Sequence, residues 1–187
     1  MRLVFVNNNS GFDFPRLVRL AEQGESIQSS LARYVAQQYI IAHESYIYDR
    51  EVIDQRYRFV YNQSAPDVFQ DYRTMLDPNN QKSPLNTLEQ AGVIEVYQPS
   101  VTITDLTIRD GVASISADAY YTEMIRDEKG MKSQRKKVTM QFTMLELSIH
   151  KPSKSVYQYN PTTKNSEKLD GRILFRVNSY QHSPAKG

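Results

Sequence analysis

An α+β fold is predicted, with N-terminal helices packed on a curved antiparallel sheet. Three observations predict it. Apolar residues recur at helical spacing through the N-terminal part of the chain. A Pro- and Asn-rich stop follows, Asp77-Pro78-Asn79-Asn80-Gln81-Lys82-Ser83-Pro84. From Val93 onward the apolar period changes to two, and one-sided alternation favours an antiparallel sheet with its apolar face on the helices. The chain contains no internal repeat.

Taken in order, Asp13-Phe14-Pro15 reads as a helix entry, because proline is tolerated in a first turn, and the pattern is interrupted at Gly24. A longer helix is expected from about Ser26 to Tyr46. Its apolar positions, among them Leu31, Val35, Tyr39, Ile40 and Ala42, sweep roughly 260° of the wheel, against about 100° for a helix lying on one core. Arg33, Gln37 and Glu44 share the narrow polar side. Such a helix is covered from two directions, by its own core and by either more of the same chain or a partner.

Asp49 is the expected N-cap of a helix running from Arg50 to about Tyr61. Ser64-Ala65-Pro66-Asp67 reads as a fresh cap for another, pinned by Val68, Tyr72 and Met75 or Leu76 and ended by Asp77-Pro78. Ser83-Pro84 starts a short helical turn that stops at Gly92. Val101 and Ile103 then alternate with threonines, and Asp110-Gly111 is a two-residue turn signal. Ala113, Ile115, Ala117, Ala119 and Tyr121 share one face of the next strand. Val138, Met140, Phe142 and Met144 alternate with polar residues in the cleanest strand, and the last is expected over Gly171 to Tyr180.

With 187 residues, 40% of them hydrophobic and 24% charged, the chain suits one core. The organisation expected is an N-terminal segment with a short helix over 1–25, a single α+β domain over 26–183, and a tail over 184–187. A net charge of +2 is too small to argue for nucleic acid. The absence of cysteine excludes disulfides, thiolate metal sites and cysteine nucleophiles. No apolar run approaches the ~20 residues that span a bilayer, so any anchor is expected upstream.

His43-Glu44 invites a metalloprotease reading, but the second histidine that motif requires is replaced by Ile47. A packed or interface histidine is the better reading. His150 and His182 stand near strand ends with no carboxylate placed beside them by sequence. The glycines form no phosphate-cradling loop, and Asp49, Glu51 and Asp54 read as caps and a solvated helix face. Neither a catalytic residue, a metal ligand nor a cofactor is assigned. Arg126, Lys129, Lys132, Arg135, Lys136 and Lys137 surround Gly130, making the tip between two long strands basic. That tip is either a solvated hairpin that keeps a sheet edge soluble or a contact for an acidic partner. No base-stacking aromatic lies in the segment, so nucleic acid is not expected as a direct ligand.

Together, Tyr39-Ile40-Ile41-Ala42-His43-Glu44-Ser45-Tyr46, the Asp77 to Pro84 stop and the strands after Ser100 resemble the VirB8-like family. These are inner-membrane assembly proteins of bacterial type IV secretion systems. Their first helix carries a Tyr-Val-x-x-Arg-Glu-x-Tyr-like segment, with His43 here where arginine is usual. The likeness covers roughly Ser26 to Ser183. It implies a nuclear-transport-factor-2-like cone located in the periplasm and tethered to the inner membrane upstream. It also implies a non-enzymatic scaffold that forms a weak homodimer and contacts other channel proteins. The family's Asn-Pro-x-Gly-Phe before a final Val-x-x-Tyr is not kept: with Val177 and Tyr180 aligned, Gly171-Arg172 replaces Asn-Pro and Leu174 replaces glycine. Tyr39, His43 and Tyr46 are the expected self-association residues, and the six basic residues of the hairpin the expected partner contacts. The alternative class is a small-molecule-binding or enzymatic cone, its pocket lined by Asp118, Tyr120 and Tyr121.

Overall fold

The computed structural model describes residues 27–88, 91–145, 157–160, 165–168 and 175–183. The predicted entry at Asp13-Phe14-Pro15, the interruption at Gly24, His150 and the 171–174 start of the last strand lie outside them.

The wide apolar arc forms helix α1, Ile27–Glu44. Leu31, Tyr34, Val35, Tyr39 and Ile40 are each at most 1% exposed. Burying each large apolar side chain contributes about 1.5–3 kcal/mol. Both covers come from the chain itself: the concave face of the sheet and the helices that follow.

A two-residue strand, β1 (Tyr46–Ile47), leads into α2 (Arg50–Gln63). Asp49 caps α2 as expected, its side chain accepting from the amides of Glu51 and Val52. Helix α3 is Pro66–Met75, and its N-cap is Ala65 rather than Ser64. With proline at the first helical position one orphan donor is already absent, so the cap needs no side-chain oxygen. Ser64 is used elsewhere, as described below. A single turn, α4 (Pro84–Thr87), is capped by the Ser83 hydroxyl.

Strands β2 (Val93–Arg109), β3 (Val112–Asp127), β4 (Gly130–Leu145) and β7 (Phe175–Ser183) join β1 in an antiparallel sheet of order β1-β2-β3-β4-β7. A separate ribbon pairs β5 (Tyr157–Asn160) with β6 (Asn165–Lys168). Asp110 and Gly111 take φ of 51° and 76°, the left-handed pair that a two-residue hairpin requires. Register shifts between Tyr97 and Ser100 and between Ile103 and Asp105 in β2, with a third in β7, where Asn178 is the extra residue opposite Gln141 and Phe142, bend the strands.

The curved sheet wraps α1. Ala113, Ile115, Ala117, Ala119 and Tyr121 of β3, Val138, Met140, Phe142 and Met144 of β4, and Phe175 and Val177 of β7 face the helices and are buried. Ser64 bridges Val177, and the Ala65 amide donates to the Val177 carbonyl at 2.7 Å, fastening the α2–α3 joint to the last strand.

Candidate functional site

The end of α1 and the end of β7 meet in a buried polar cluster. Glu44 is 9% exposed, and one of its oxygens, Oε1, accepts three hydrogen bonds. The donors are His43 Nδ1 at 2.7 Å, the Tyr180 hydroxyl at 2.8 Å and His182 Nε2 at 3.0 Å. A carboxylate only accepts, so both imidazoles present N–H to it. Burial alone would raise the Glu44 pKa; hydrogen bonds from His182 and His43 and their charges outweigh it and hold the carboxyl well below the usual range. The hydrogen bond to Glu44 raises His182 against the opposing effect of burial. Glu44 is therefore ionised and chelated by three donors.

Aromatic rings insulate this charge. The His43 ring lies 4.4 Å from that of Tyr180 and 4.9 Å from that of Tyr72. Tyr39 packs edge-on to Tyr180 at 5.5 Å and Phe175 at 6.5 Å. Its hydroxyl meets Ser64 Oγ at 2.7 Å, and that hydroxyl in turn donates to the Val60 carbonyl. Burial raises the phenols of Tyr39, Tyr72, Tyr121 and Tyr180, so all four stay neutral. Glu123, 8% exposed, is raised by burial and faces Lys136 at 3.6 Å.

Tyr39, His43 and Tyr46, expected at a self-association face, are packed within their own chain. They are 0%, 5% and 4% exposed, filled against the sheet and the Glu44 cluster of their own chain. The second cover of α1 is intramolecular. The expectation for His182 is corrected, since it sits against Glu44. Sequence placed Glu44 on a polar stripe; its partners Tyr180 and His182 lie 136 and 138 residues away, a separation no local motif encodes.

The pocket set of the alternative reading is divided by the pleat. Tyr121 points to the helices, whereas Asp118 and Tyr120 point to the opposite, outer face. Asp118 is engaged there by Lys137 at 2.9 Å and by the Thr139 hydroxyl at 2.7 Å. The carboxyl is lowered by those two hydrogen bonds, Lys137 first. An open groove of about 360 Å³ lies elsewhere, lined by Ser45, Tyr46, Ile47, Arg56 and the start of β2.

The six basic residues also divide. Arg126, Arg135 and Lys137 lie on the outer face and Lys129 in the turn at its end, while Lys132 and Lys136 lie on the helix-facing side, paired across the strands with Ile125 and Tyr121. Arg126 is 3.7 Å from Glu95, and Lys129, Lys132 and Arg135 have no acidic partner among the described residues. Also among the described residues, no cluster of His, Asp and Glu has the form of a metal site, and no helix is long and apolar enough to cross a membrane.

Solved structures share this architecture. Agrobacterium tumefaciens VirB8 is 21% identical with a TM-score of 0.51, the match covering 87% of this chain and 96% of that one. The soluble domain of TrwG, of the type IV secretion machinery of Bartonella grahamii, is 19% identical with a TM-score of 0.52, covering 83% and 94%. TraE in complex with 4-(1H-pyrrol-1-yl)pyridine-2-carboxylic acid is 21% identical with a TM-score of 0.50, covering 83% and 96%. At these identities the likeness establishes the fold. None of the curated proteins matches the chain. The family of VirB8 proteins matches residues 3–162, most of the sequence, and the chain belongs to that family.

Proposed function

We propose that the chain is a non-enzymatic assembly component of a type IV secretion channel, anchored in the bacterial inner membrane with this domain in the periplasm. Membership of the VirB8 family carries the reading. The site chemistry is in keeping with it: Glu44 is chelated by side chains of its own domain, an arrangement that fastens α1 to β7. Other channel proteins are the partners, together with a weak homodimer whose formation the membrane tether favours by raising effective concentration. Every described side chain of α1 is buried or half-buried, so the homodimer uses surface outside that helix.

The test is deletion of the gene in a cell that carries the secretion genes. Substrate transfer is expected to stop and to return with the wild-type copy, and the tagged protein is expected to co-purify with other channel components. Undiminished transfer in the deletion strain would contradict the reading.

A second reading, small-molecule binding, is supported by the groove beside Arg56, whose guanidinium burial disfavours charge and which a ligand carboxylate would re-stabilise. Titration with 4-(1H-pyrrol-1-yl)pyridine-2-carboxylic acid tests it. Saturable amide shifts at Ser45 to Ile47 and Val93 to Tyr97 are expected, and their absence would remove the reading.

A further inference from the structure

The outer face of the sheet is not uniform. Towards the Asp110-Gly111 turn it presents Thr102, Thr107, Ser114, Gln141 and Thr143, as expected of a solvated surface. Towards the other end, near Gly130, it presents large apolar side chains and cations together, with Glu95 the one acid in the row between those that carry Arg126 and Arg135. Ile47, Val93, Arg126 and Met131 stand in one cross-strand row, and Tyr97, Thr122 and Arg135 in a parallel row four residues along β3. Tyr120 and Lys137 continue the patch in the next row.

Ile47, Tyr97, Tyr120 and Met131 are 38%, 43%, 40% and 62% exposed, four of the six large exposed hydrophobics among the described residues. The rows from Arg126 to Tyr120 extend over about 20 Å, at roughly 3.3 Å per residue. Solubility alone would favour the lysines and arginines here and gives no reason for methionine, isoleucine and two tyrosines between them.

We propose that this end of the outer face is a docking surface for an acidic, extended polypeptide segment of another protein. The inference rests on the assembly reading above and gives the chemistry of one partner. Arg135 presents a planar fork suited to a carboxylate and, like Lys129 in the hairpin turn, has no acidic partner among the described residues; Arg126 is 3.7 Å from Glu95 at an exposed site, a weak pair that an incoming carboxylate can displace. Met131 on one side of Arg126, and Val93 and Ile47 on the other, supply apolar contact, and the neighbouring groove at Val93 to Tyr97 can receive a side chain of the incoming segment.

Other occupants fit less well. A second copy placed face to face would set Arg126 and Arg135 against their own like charges. Base stacking is obstructed, because Arg135 and Lys137 already lie 5.7 and 5.5 Å from the centre of the Tyr120 ring. The sheet curves around α1, so this face is convex. A flat bilayer meets a convex face along a line, whereas an extended segment follows it.

The test pans a random dodecapeptide library on the purified chain, with Arg126→Glu/Arg135→Glu in solution to remove binders of other surfaces. Enriched sequences are expected to combine Asp or Glu with an apolar residue. A synthesised winner should bind at least about tenfold more weakly to the double variant, whose two exposed substitutions leave the melting temperature unchanged. Binding should weaken as salt rises and should shift the amides of Val93 to Tyr97, Tyr120 to Arg126 and Met131 to Lys137. Lys132→Glu, on the other face, should leave the affinity within about twofold.

No enrichment, enrichment without acidic bias, or shifts confined to other surfaces would overturn the proposal. So would those same shifts produced by phosphatidylglycerol vesicles or a single-stranded oligonucleotide with no acidic peptide bound. Because the peptide test uses the isolated chain and the deletion test uses the cell, failure of the docking surface is distinguishable from failure of the assembly reading.

Discussion

Replacing Glu44 with glutamine keeps the shape of the side chain and removes its charge. Hydrogen bonds to a charged group contribute about 1.5–3 kcal/mol each, and neutral ones about 0.5–1.5, so each donor loses roughly 1 kcal/mol. His43 and Tyr180 are well shielded; the His182 side chain is 47% exposed, and its share is discounted for solvent screening. The net expectation is a loss of about 2 kcal/mol, which lowers the melting temperature by roughly 4–8 °C in a domain of this size.

The pH dependence makes the test specific. The folded Glu44 carboxyl lies below its ordinary 4.5, so the unfolded chain binds more protons in acid. The stability it contributes is present above about 4.5 and is lost as pH falls towards the folded value. His182 is raised above its ordinary 6.5. Its contribution is present below 6.5 and is lost as pH rises through the raised value. Wild type should therefore gain most from the cluster between those two values, and Glu44→Gln should flatten both flanks. Urea unfolding at acidic, intermediate and alkaline pH measures this. A variant as stable as wild type, with the same pH profile, would refute the claim that an ionised Glu44 ties α1 to β7.

Ser64→Ala strands the buried Tyr39 hydroxyl and should destabilise by about 1–3 kcal/mol in urea unfolding, while Tyr39→Phe/Ser64→Ala recovers part of the loss because no phenol is left unpaired. Tyr46→Arg drives a cation into a site 4% exposed; early melting with an unchanged sedimentation coefficient is expected, not dissociation of a dimer. Gly111→Val forces a β-branched residue to φ 76° and should cost about 1–2 kcal/mol, seen as a lower urea midpoint with the slope retained.

Local periodicity made the helices, the β-period and the inward faces of β3 and β4 legible, because each is set by neighbours two to four residues apart. Asp49 and Asp110-Gly111 were legible for the same reason: a cap and a left-handed turn are local chemistry. The wide arc of α1 correctly required two covers, but periodicity does not say which molecule supplies the second. The structure supplies it from the same chain, which moves Tyr39, His43 and Tyr46 from surface to core.

The Glu44 cluster was out of reach for a related reason. A glutamate beside Arg33 and Gln37 on a helical wheel looks solvated until β7 returns with Tyr180 and His182. The division of the basic hairpin into two faces was available from alternation, yet its join with Ile47 and Tyr97 depends on strand pairing. That register brings β1 and β2 alongside β3 and cannot be read from the hairpin alone.

In the function we propose, the outer sheet face meets the partner and α1 is a buried axle. Complementation of the deletion strain by Arg126→Glu/Arg135→Glu tests this most directly. The variant is expected to accumulate to wild-type level and fail to restore transfer. Full transfer by a stably folded double variant would contradict the assignment.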